Sequence, residues 1–198
     1  MSVRDYSPSH YDFQENLGLH ACLDYVNRPN PTWVHVTGLH EVEKIAGISK
    51  VFEIPELFVE DILSTNGRAK VEILEGAIFV QLKVFEGKSE LNFQQLYLNH
   101  EIVATFAEGP SVIFDPIAKR LENVQGRLRG KGTGYLLWAI LDSVIDHAIA
   151  SADILEQNLL EVDELIQEDH TAVSAADLYS QKHEITSMLH LVRPNREI

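Results

Sequence analysis

Short apolar segments, each ended by a glycine or a polar turn, fill the first two thirds of the chain. Trp33-Val34-His35-Val36 alternates as a strand does, Gly38 marks a turn, and residues 42–51 carry apolar side chains at helical spacing. A second helix is predicted from Pro55, a residue favoured in the first helical turn, to about Leu63. The pattern therefore predicts one strand followed by two short helices.

Four segments rich in β-branched and aromatic residues come next. They cover residues 71–74, 77–85, 90–98 and 101–106. Segments of this length and composition, separated by turn residues, are typical of an antiparallel meander. A helix with Phe114-Asp115-Pro116-Ile117 in its first turn follows, so helices lie on both sides of the strands along the chain. The predicted fold class is α/β, an α/β/α sandwich with a mixed, largely antiparallel sheet.

The pattern changes at Gly132, where a basic, glycine-rich loop ends and a long helical repeat begins. Apolar or small residues then recur at a heptad spacing: Leu141, Val144, Ala148, Ser151, Leu155, Asn158, Val162 and Leu165. A second helix, from about Ala175 to Val192, is predicted to return beside the first. We therefore expect a long antiparallel helical hairpin. The chain divides into a sandwich domain at residues 1–131 and a hairpin at residues 132–198.

Charge is distributed unevenly between these two parts. The 198 residues include 30 acidic and 16 basic side chains, which give a formal net charge of −14 at pH 7. Residues 1–131 contain 18 acids and 13 bases, whereas residues 132–198 contain 12 acids and 3 bases. A surface of this charge repels phosphate backbones and anionic lipid, and it attracts cations. Divalent cations are therefore expected as partners, and nucleic acid is not.

The residues between 132 and 181 include no Lys or Arg. They include ten acids: Asp142, Asp146, Asp153, Glu156, Glu161, Asp163, Glu164, Glu168, Asp169 and Asp177. Like charges four positions apart on a helix cost a few tenths of a kcal/mol per pair, and here no base offsets them. Two interpretations stay open, a solvated face that keeps the protein soluble and a surface that attracts cations.

The sequence contains no recognisable catalytic motif. It has no dinucleotide-binding glycine motif, no P-loop and no nucleophile elbow, and its nine histidines lack zinc-site spacing. We therefore expect no enzyme and no catalytic residue. The single cysteine, Cys22, cannot form an internal disulfide, which fits a reducing, cytoplasmic setting. The longest apolar run, Tyr135 to Leu141, is too short to cross a bilayer, so the piece given is expected to be soluble.

Glu60 and Asp61 are the acidic pair most suggestive of a site. Both lie in the last turn of the helix that Pro55 begins, where the helix dipole disfavours negative charge. A cation nearby would relieve this. Arg68 or Lys70 could supply it structurally, and Mg²⁺ is the alternative, because it takes oxygen ligands and keeps several waters, so one or two carboxylates suffice.

Five blocks of the sequence follow the order and spacing of a known family. They are Thr32-Trp33-Val34-His35-Val36-Thr37-Gly38-Leu39-His40, Leu57-Phe58-Val59-Glu60-Asp61-Ile62-Leu63, Lys70-Val71-Glu72, Phe114-Asp115-Pro116-Ile117, and Tyr135-Leu136-Leu137-Trp138-Ala139-Ile140-Leu141-Asp142. Together they span most of the chain from Pro31 to Ile198. On these blocks the chain resembles the soluble domain of the CorA family of magnesium and cobalt transport proteins.

The resemblance implies a cytoplasmic α/β/α domain that is followed by a stalk helix, two membrane helices and a Gly-Met-Asn pore signature. It implies a homopentamer in the cell inner membrane, with the pore and stalk absent from this chain. By family position, Asp61 belongs to a regulatory Mg²⁺ site between subunits, and its partner acid lies beyond Ile198. Glu60 and Asp142 match a second, nearby ion site. Bound cations would hold the closed state, and their loss would let like charges separate the subunits.

Two segments depart from the family pattern. Gly67-Arg68-Ala69-Lys70 stands where Gln-Arg-Pro-Lys is usual, and Arg193-Pro194-Asn195-Arg196-Glu197 stands where Trp-Pro-Leu-Arg-Glu is usual. The first change removes a proline that would stiffen the loop after Asp61. Co²⁺ or another divalent ion could replace Mg²⁺. A ZntB-type zinc transporter domain and a free-standing acidic ion-binding or interaction protein stay open as alternatives, and a hydrolase is the least favoured.

Overall fold

Seven strands form one sheet in the computed structural model, which describes residues 1–26, 28–64, 67–74, 76–86, 90–99, 101–109, 112–168 and 173–195. The strands are β1 Ser2–Ser7, β2 His10–Gln14, β3 Thr32–Thr37, β4 Lys70–Leu74, β5 Ala77–Glu86, β6 Glu90–Leu98 and β7 Ile102–Ala107. The helices are α1 Leu19–Val26, α2 Val42–Val51, α3 Glu56–Leu63, α4 Asp115–Glu122, α5 Thr133–Glu168 and α6 Ala175–Asn195. A short 3-10 helix, Arg127–Gly130, precedes α5.

The strand order across the sheet is β2-β1-β3-β7-β6-β5-β4. Strands β4 to β7 form the antiparallel meander that the sequence predicted. Strands β3 and β7 run parallel, with Trp33 opposite Val103 and His35 opposite Thr105, which makes the sheet mixed. Strand β1 pairs antiparallel with both β2 and β3. The predicted fold class is confirmed.

Helices cover both faces of the sheet. Neighbouring strand residues point to opposite faces, so Val34 and Phe79 belong to one hydrophobic cluster while Trp33 and Val80 belong to the other. Helices α1, α2 and α3 pack on the first face, and α4 and the first turns of α5 pack on the second. This is the α/β/α sandwich expected from the pattern of segments.

The N-terminal hairpin and α1 were not predicted from the sequence. Asp5 of β1 is fully buried and accepts a hydrogen bond from Thr32 Oγ1 at 3.2 Å. Directly across from it lies Asp12 of β2. Arg28 places a guanidinium nitrogen 3.8 Å from Asp5 and 3.2 Å from Asp12, and its ring contact with Tyr25 holds it at the end of α1. Arg28 thus offsets the repulsion of the two carboxylates and joins α1 to the hairpin.

Helices α5 and α6 form the predicted antiparallel hairpin. Seven of the eight positions of the predicted seam, from Leu141 to Val162, are buried or half-buried. The eighth, Leu165, is 47% exposed, and Ile166 is half-buried instead. The seam prediction is therefore wrong in its last turn, because a straight helix of 3.6 residues per turn drifts away from a seven-residue repeat.

Helix α5 is the one helix of the described residues that is long and apolar enough to span a membrane by length and composition. Core helices of soluble proteins meet the same criterion. Leu136, Ala139 and Ile140, in the first turns of α5, are fully buried and belong to the same cluster as the strands of the second face. The division of the chain at residue 131 stays a prediction.

Candidate cation site

Helix α3 places the two candidate carboxylates at the edge of the first face. Phe58 and Ile62 are fully buried and point to the sheet, and Phe58 stacks on Phe79 with ring centroids 4.9 Å apart. This anchors the helix, since residues four apart share one face. Asp61 is consequently half-buried at the border of the core, whereas Glu60 is exposed to solvent.

Lys70 of the edge strand β4 pairs with Asp61. Its Nζ atom lies 2.7 Å from Asp61 Oδ2 and 3.1 Å from Glu72 Oε1, and it bridges the two carboxylates. The side chains of Lys70, Asp61 and Glu72 are 31%, 23% and 36% exposed. Of the two basic residues considered from the sequence, Lys70 therefore neutralises Asp61, while Arg68 is exposed and forms no ion pair within the described residues.

The pairing of β4 with β5 explains why these groups meet. Lys70 lies opposite Gln81 and Glu72 lies opposite Phe79, so both project onto the face that α3 covers. Gln81 is fully buried, and its Oε1 accepts no hydrogen bond within the described part of the chain. Gly67 fits closely against it, since a Cβ there would stand 2.6 Å from Gln81 Nε2.

The ammonium of Lys70 keeps its charge in this position. Burial alone lowers the pKa of Lys70, but the hydrogen bonds to Asp61 and Glu72 and the charges of these carboxylates outweigh burial, and the pKa is raised. Lys70 is therefore a cation throughout the neutral range. Oxygen atoms of two carboxylates hold this positive charge, and carboxylate oxygens are also the ligands that a hard divalent cation prefers.

The third predicted ligand, Asp142, lies on the other face of the sheet. It belongs to α5 and is half-buried, whereas Glu60 and Asp61 lie on α3. Within one chain the structure thus brings Glu60 and Asp61 together and leaves Asp142 apart. The described residues contain no group of three or more His, Cys, Asp or Glu side chains arranged to hold a metal. Sites between subunits stay a prediction for all three residues.

Asp142 lines an apolar groove between α5 and α6, which the sequence analysis did not identify. The groove has a volume of about 740 Å³. Trp138, Ile145 and Ile149 contribute exposed apolar surface on the α5 side, and Arg193 of α6 lies at the same groove. These apolar residues form a second stripe along α5 beside the seam. This stripe is the sequence pattern from which the groove was predictable.

The basic loop before α5 is partly structural. Arg129 is 6% exposed, and its guanidinium donates hydrogen bonds to the carbonyl oxygens of Leu121 and Glu122. It also lies over the ring of Tyr11, 4.8 Å from the centroid. A cation at the C-terminus of α4 satisfies carbonyl groups that the helix leaves without partners. Arg129 is therefore a structural residue of this loop, whereas Arg127 and Lys131 are exposed.

A model of the family described as CorA-like Mg²⁺ transporter protein matches residues 30–198. The cobalt/magnesium transport protein CorA of Thermotoga maritima is 26% identical over 203 aligned residues, covering all of this chain and 58% of that protein. The chain thus spans less than two thirds of the length of the relative it matches. The matched family is a transporter family and not a class of enzymes.

Solved structures share the fold. The cytoplasmic domain of ZntB from Vibrio parahaemolyticus superposes with a TM-score of 0.76 at 16% identity, covering all of this chain and 76% of that one. The CorA magnesium transporter from Methanocaldococcus jannaschii gives a TM-score of 0.74 at 15% identity, covering 99% of this chain and 60% of that one. At these identities the likeness establishes the architecture alone.

Proposed function

Because the chain belongs to the CorA-like Mg²⁺ transporter family, whose model matches residues 30–198, we propose that it is the cytoplasmic regulatory domain of a divalent-cation transporter. The family match is the observation that carries this proposal. The transporter would be a homopentamer in the inner membrane, with Mg²⁺ as the regulatory ion and Co²⁺ as a possible substitute. Its pore would lie in segments that this chain does not include.

Asp61 would be the principal carboxylate of the regulatory site. Its side chain is 23% exposed at the end of α3, and Mg²⁺ suits such a position because it takes oxygen ligands and keeps several waters. A carboxylate from a neighbouring subunit would complete the site. Glu60 and Asp142 would contribute to a second ion site in the assembled protein. These roles rest on the family resemblance of the matching positions.

Bound cations would favour the closed state by differential affinity. With the ions present, carboxylates of adjacent subunits are held together, and without them the same charges repel each other. The formal charge of −14 on each chain adds to this repulsion. Regulation would thus act on the relative positions of the subunits, and it would need no chemical reaction.

Protection against proteolysis tests the role of Asp61. In the membrane-bound protein, Mg²⁺ should slow cleavage of the wild type, and Asp61→Ala should need about tenfold more Mg²⁺ for the same protection, which corresponds to about 1.4 kcal/mol. Asp24→Ala is the matched control, because Asp24 is an exposed acid on α1, far from α3 along the chain. Equal Mg²⁺ dependence of the wild type and Asp61→Ala would remove Asp61 from the site.

A ZntB-like zinc transporter domain is the second candidate. The ZntB cytoplasmic domain shares this architecture as closely as CorA does, so the fold does not separate the two candidates. Flux measurements on the membrane-bound protein with Mg²⁺, Co²⁺ and Zn²⁺ separate the two functions. Zn²⁺ transport without Mg²⁺ transport would favour the second candidate.

A further inference from the structure

Lys70 occupies the position that a cation at Asp61 would take. Its ammonium lies 2.7 Å from Asp61 Oδ2 and 3.1 Å from Glu72 Oε1, within contact distance of both carboxylates at once. Mg²⁺ binds the same kind of oxygen atom and carries twice the charge. Two cations a few ångströms apart repel each other strongly in a partly buried site. A divalent ion at Asp61 and Lys70 in this position therefore exclude each other.

We propose that Lys70 is a built-in competitor for the divalent cation at Asp61, and that Glu72 retains the lysine when the cation displaces it. This role rests on the proposed function in one respect, that Asp61 is a cation ligand. It concerns the regulation of that ligand by a neighbouring residue of the same chain. The competitor is always present, so it sets how much free ion is needed before Asp61 is occupied.

The sheet geometry allows the exchange without movement of the backbone. Lys70 and Glu72 are two residues apart on β4 and project onto the same face, and the register with β5 fixes both. The flexible lysine side chain can release Asp61 and keep its contact with Glu72. Cation binding would thus replace one ion pair and leave the second intact.

Within the described residues, the two carboxylates carry more negative charge than the Lys70 ammonium neutralises. In addition, Glu72 Oε2 and Gln81 Oε1 are buried oxygen atoms without hydrogen-bond donors within the described residues. Oxygen atoms in this condition attract a cation, because burial without a donor is costly. The negative charge that holds the Lys70 ammonium also favours a divalent ion. Lys70 and the ion therefore compete for the same oxygen atoms.

Mg²⁺ titrations of the 198-residue chain test the competition, followed by the amide signals of residues 60–63 in two-dimensional NMR spectra. Lys70→Met keeps the length of the side chain and removes its charge, whereas Lys70→Arg keeps the charge. Lys44→Met is the matched control, because Lys44 also pairs with a carboxylate, Glu41 Oε1 at 3.0 Å, on another helix of the same face. Lys70→Met combined with Asp61→Asn shows which response depends on Asp61.

Lys70→Met should bind Mg²⁺ with an apparent Kd about fivefold lower or more, since the ion no longer has to break an ion pair. Lys70→Arg should bind no more tightly than the wild type. Lys44→Met should change the Kd by less than about twofold, because the charge it removes is paired with Glu41 and partly exposed to solvent screening. The gain in Mg²⁺ affinity of Lys70→Met should disappear when Asp61 is also replaced by Asn.

The proposal is overturned by an unchanged Kd in Lys70→Met, by a gain in affinity no larger than that of Lys44→Met, or by a gain in affinity that persists without Asp61. Absence of Asp61-dependent binding in Lys70→Met also overturns it. These outcomes are distinct from failure of the proposed function. If Asp61-dependent binding tightens in Lys70→Met while Asp61→Ala leaves proteolytic protection of the membrane-bound protein unchanged, the competition stands and the sensing role fails.

Discussion

The Nδ1 atom of His35 lies 2.8 Å from the Oγ1 atom of Thr105, across the parallel pair formed by β3 and β7. Trp33 Nε1 donates to the same Oγ1 at 3.0 Å, so Thr105 joins two ring nitrogens inside the sheet. Phe114 packs edge-on against the His35 ring at 5.3 Å. Desolvation, with a smaller contribution from the charge of Arg4, lowers the pKa of His35 to about 4.

The desolvation of the half-buried His35 makes stability depend on pH. Between about pH 6.5 and 4 the unfolded chain protonates this histidine while the folded chain does not, so unfolding takes up a proton and stability rises with pH. The free energy of unfolding should therefore fall by about 3 kcal/mol from this residue as the pH is lowered through that window. Urea unfolding at intervals of half a pH unit measures it.

The control for this titration is a pair of substitutions. His35→Asn retains a polar atom near Thr105 and removes the titrating group, so it should flatten the pH dependence between pH 6.5 and 4. His20→Asn, at an exposed histidine of α1, should leave the dependence unchanged. Equal slopes for the wild type and His35→Asn would show that His35 titrates normally in the folded chain.

Gly126 should not tolerate a side chain. A Cβ at this position would stand 2.9 Å from the backbone carbonyl oxygens of both Arg120 and Asn123, which cannot move aside as a flexible side chain can. Gly126→Ala should therefore lower the free energy of unfolding by about 1–3 kcal/mol. Gly134→Ala, in the first turn of α5 with open space around its Cβ, should instead stabilise by up to about 1 kcal/mol. Thermal unfolding of both variants checks the difference in sign.

Arg129 should stabilise the fold through its contacts with the end of α4. Arg129→Met removes the hydrogen bonds to the carbonyl oxygens of Leu121 and Glu122, at an expected cost of about 1.5–3 kcal/mol. Arg127→Met removes an exposed arginine two positions away and should change stability by less than about 0.5 kcal/mol. Urea unfolding compares them, and equal losses would mean that the loop acts only through its overall charge.

The hairpin seam predicts unequal costs for two leucines of α5. Leu155 is 8% exposed and faces α6, so Leu155→Ala should cost about 2–3 kcal/mol by removing buried surface. Leu165 is 47% exposed, and Leu165→Ala should change the free energy of unfolding by less than about 0.5 kcal/mol. A large loss at Leu165 would restore the seven-residue seam read from the sequence.

The meander was predictable because each of its strands is apolar enough to be recognised alone. Segments 77–85 and 90–98 agree with β5 and β6 to within one residue at each end. The N-terminal hairpin was not predicted because its buried positions in β1 combine the apolar Val3 and Tyr6 with the charged Asp5, which breaks the alternating pattern. Asp5 is stabilised by contacts from residues more than twenty positions away. Such long-range pairing leaves no local periodicity to read.

The candidate site was predictable in its residues and not in its contacts. The acidic pair Glu60 and Asp61 at the end of a helix, followed by Lys70, predicted either an ion pair or a cation site. The contact of Lys70 with Asp61 and Glu72 depends on the register of β4 with β5, which is set by pairing across the sheet. The position of Asp142 likewise follows from the packing of α5 on the other face.

Strand β4 is last in the strand order, and no strand of the described residues pairs with its outer edge, so this edge is able to pair with a strand from another molecule. Two of its five residues, Val71 and Ile73, are 42% and 74% exposed, a composition that favours such association. Lys70 and Glu72 alternate with them, and charged side chains on a short edge strand discourage growth of the sheet by a foreign strand. The lysine that neutralises Asp61 thus also protects the chain against aggregation.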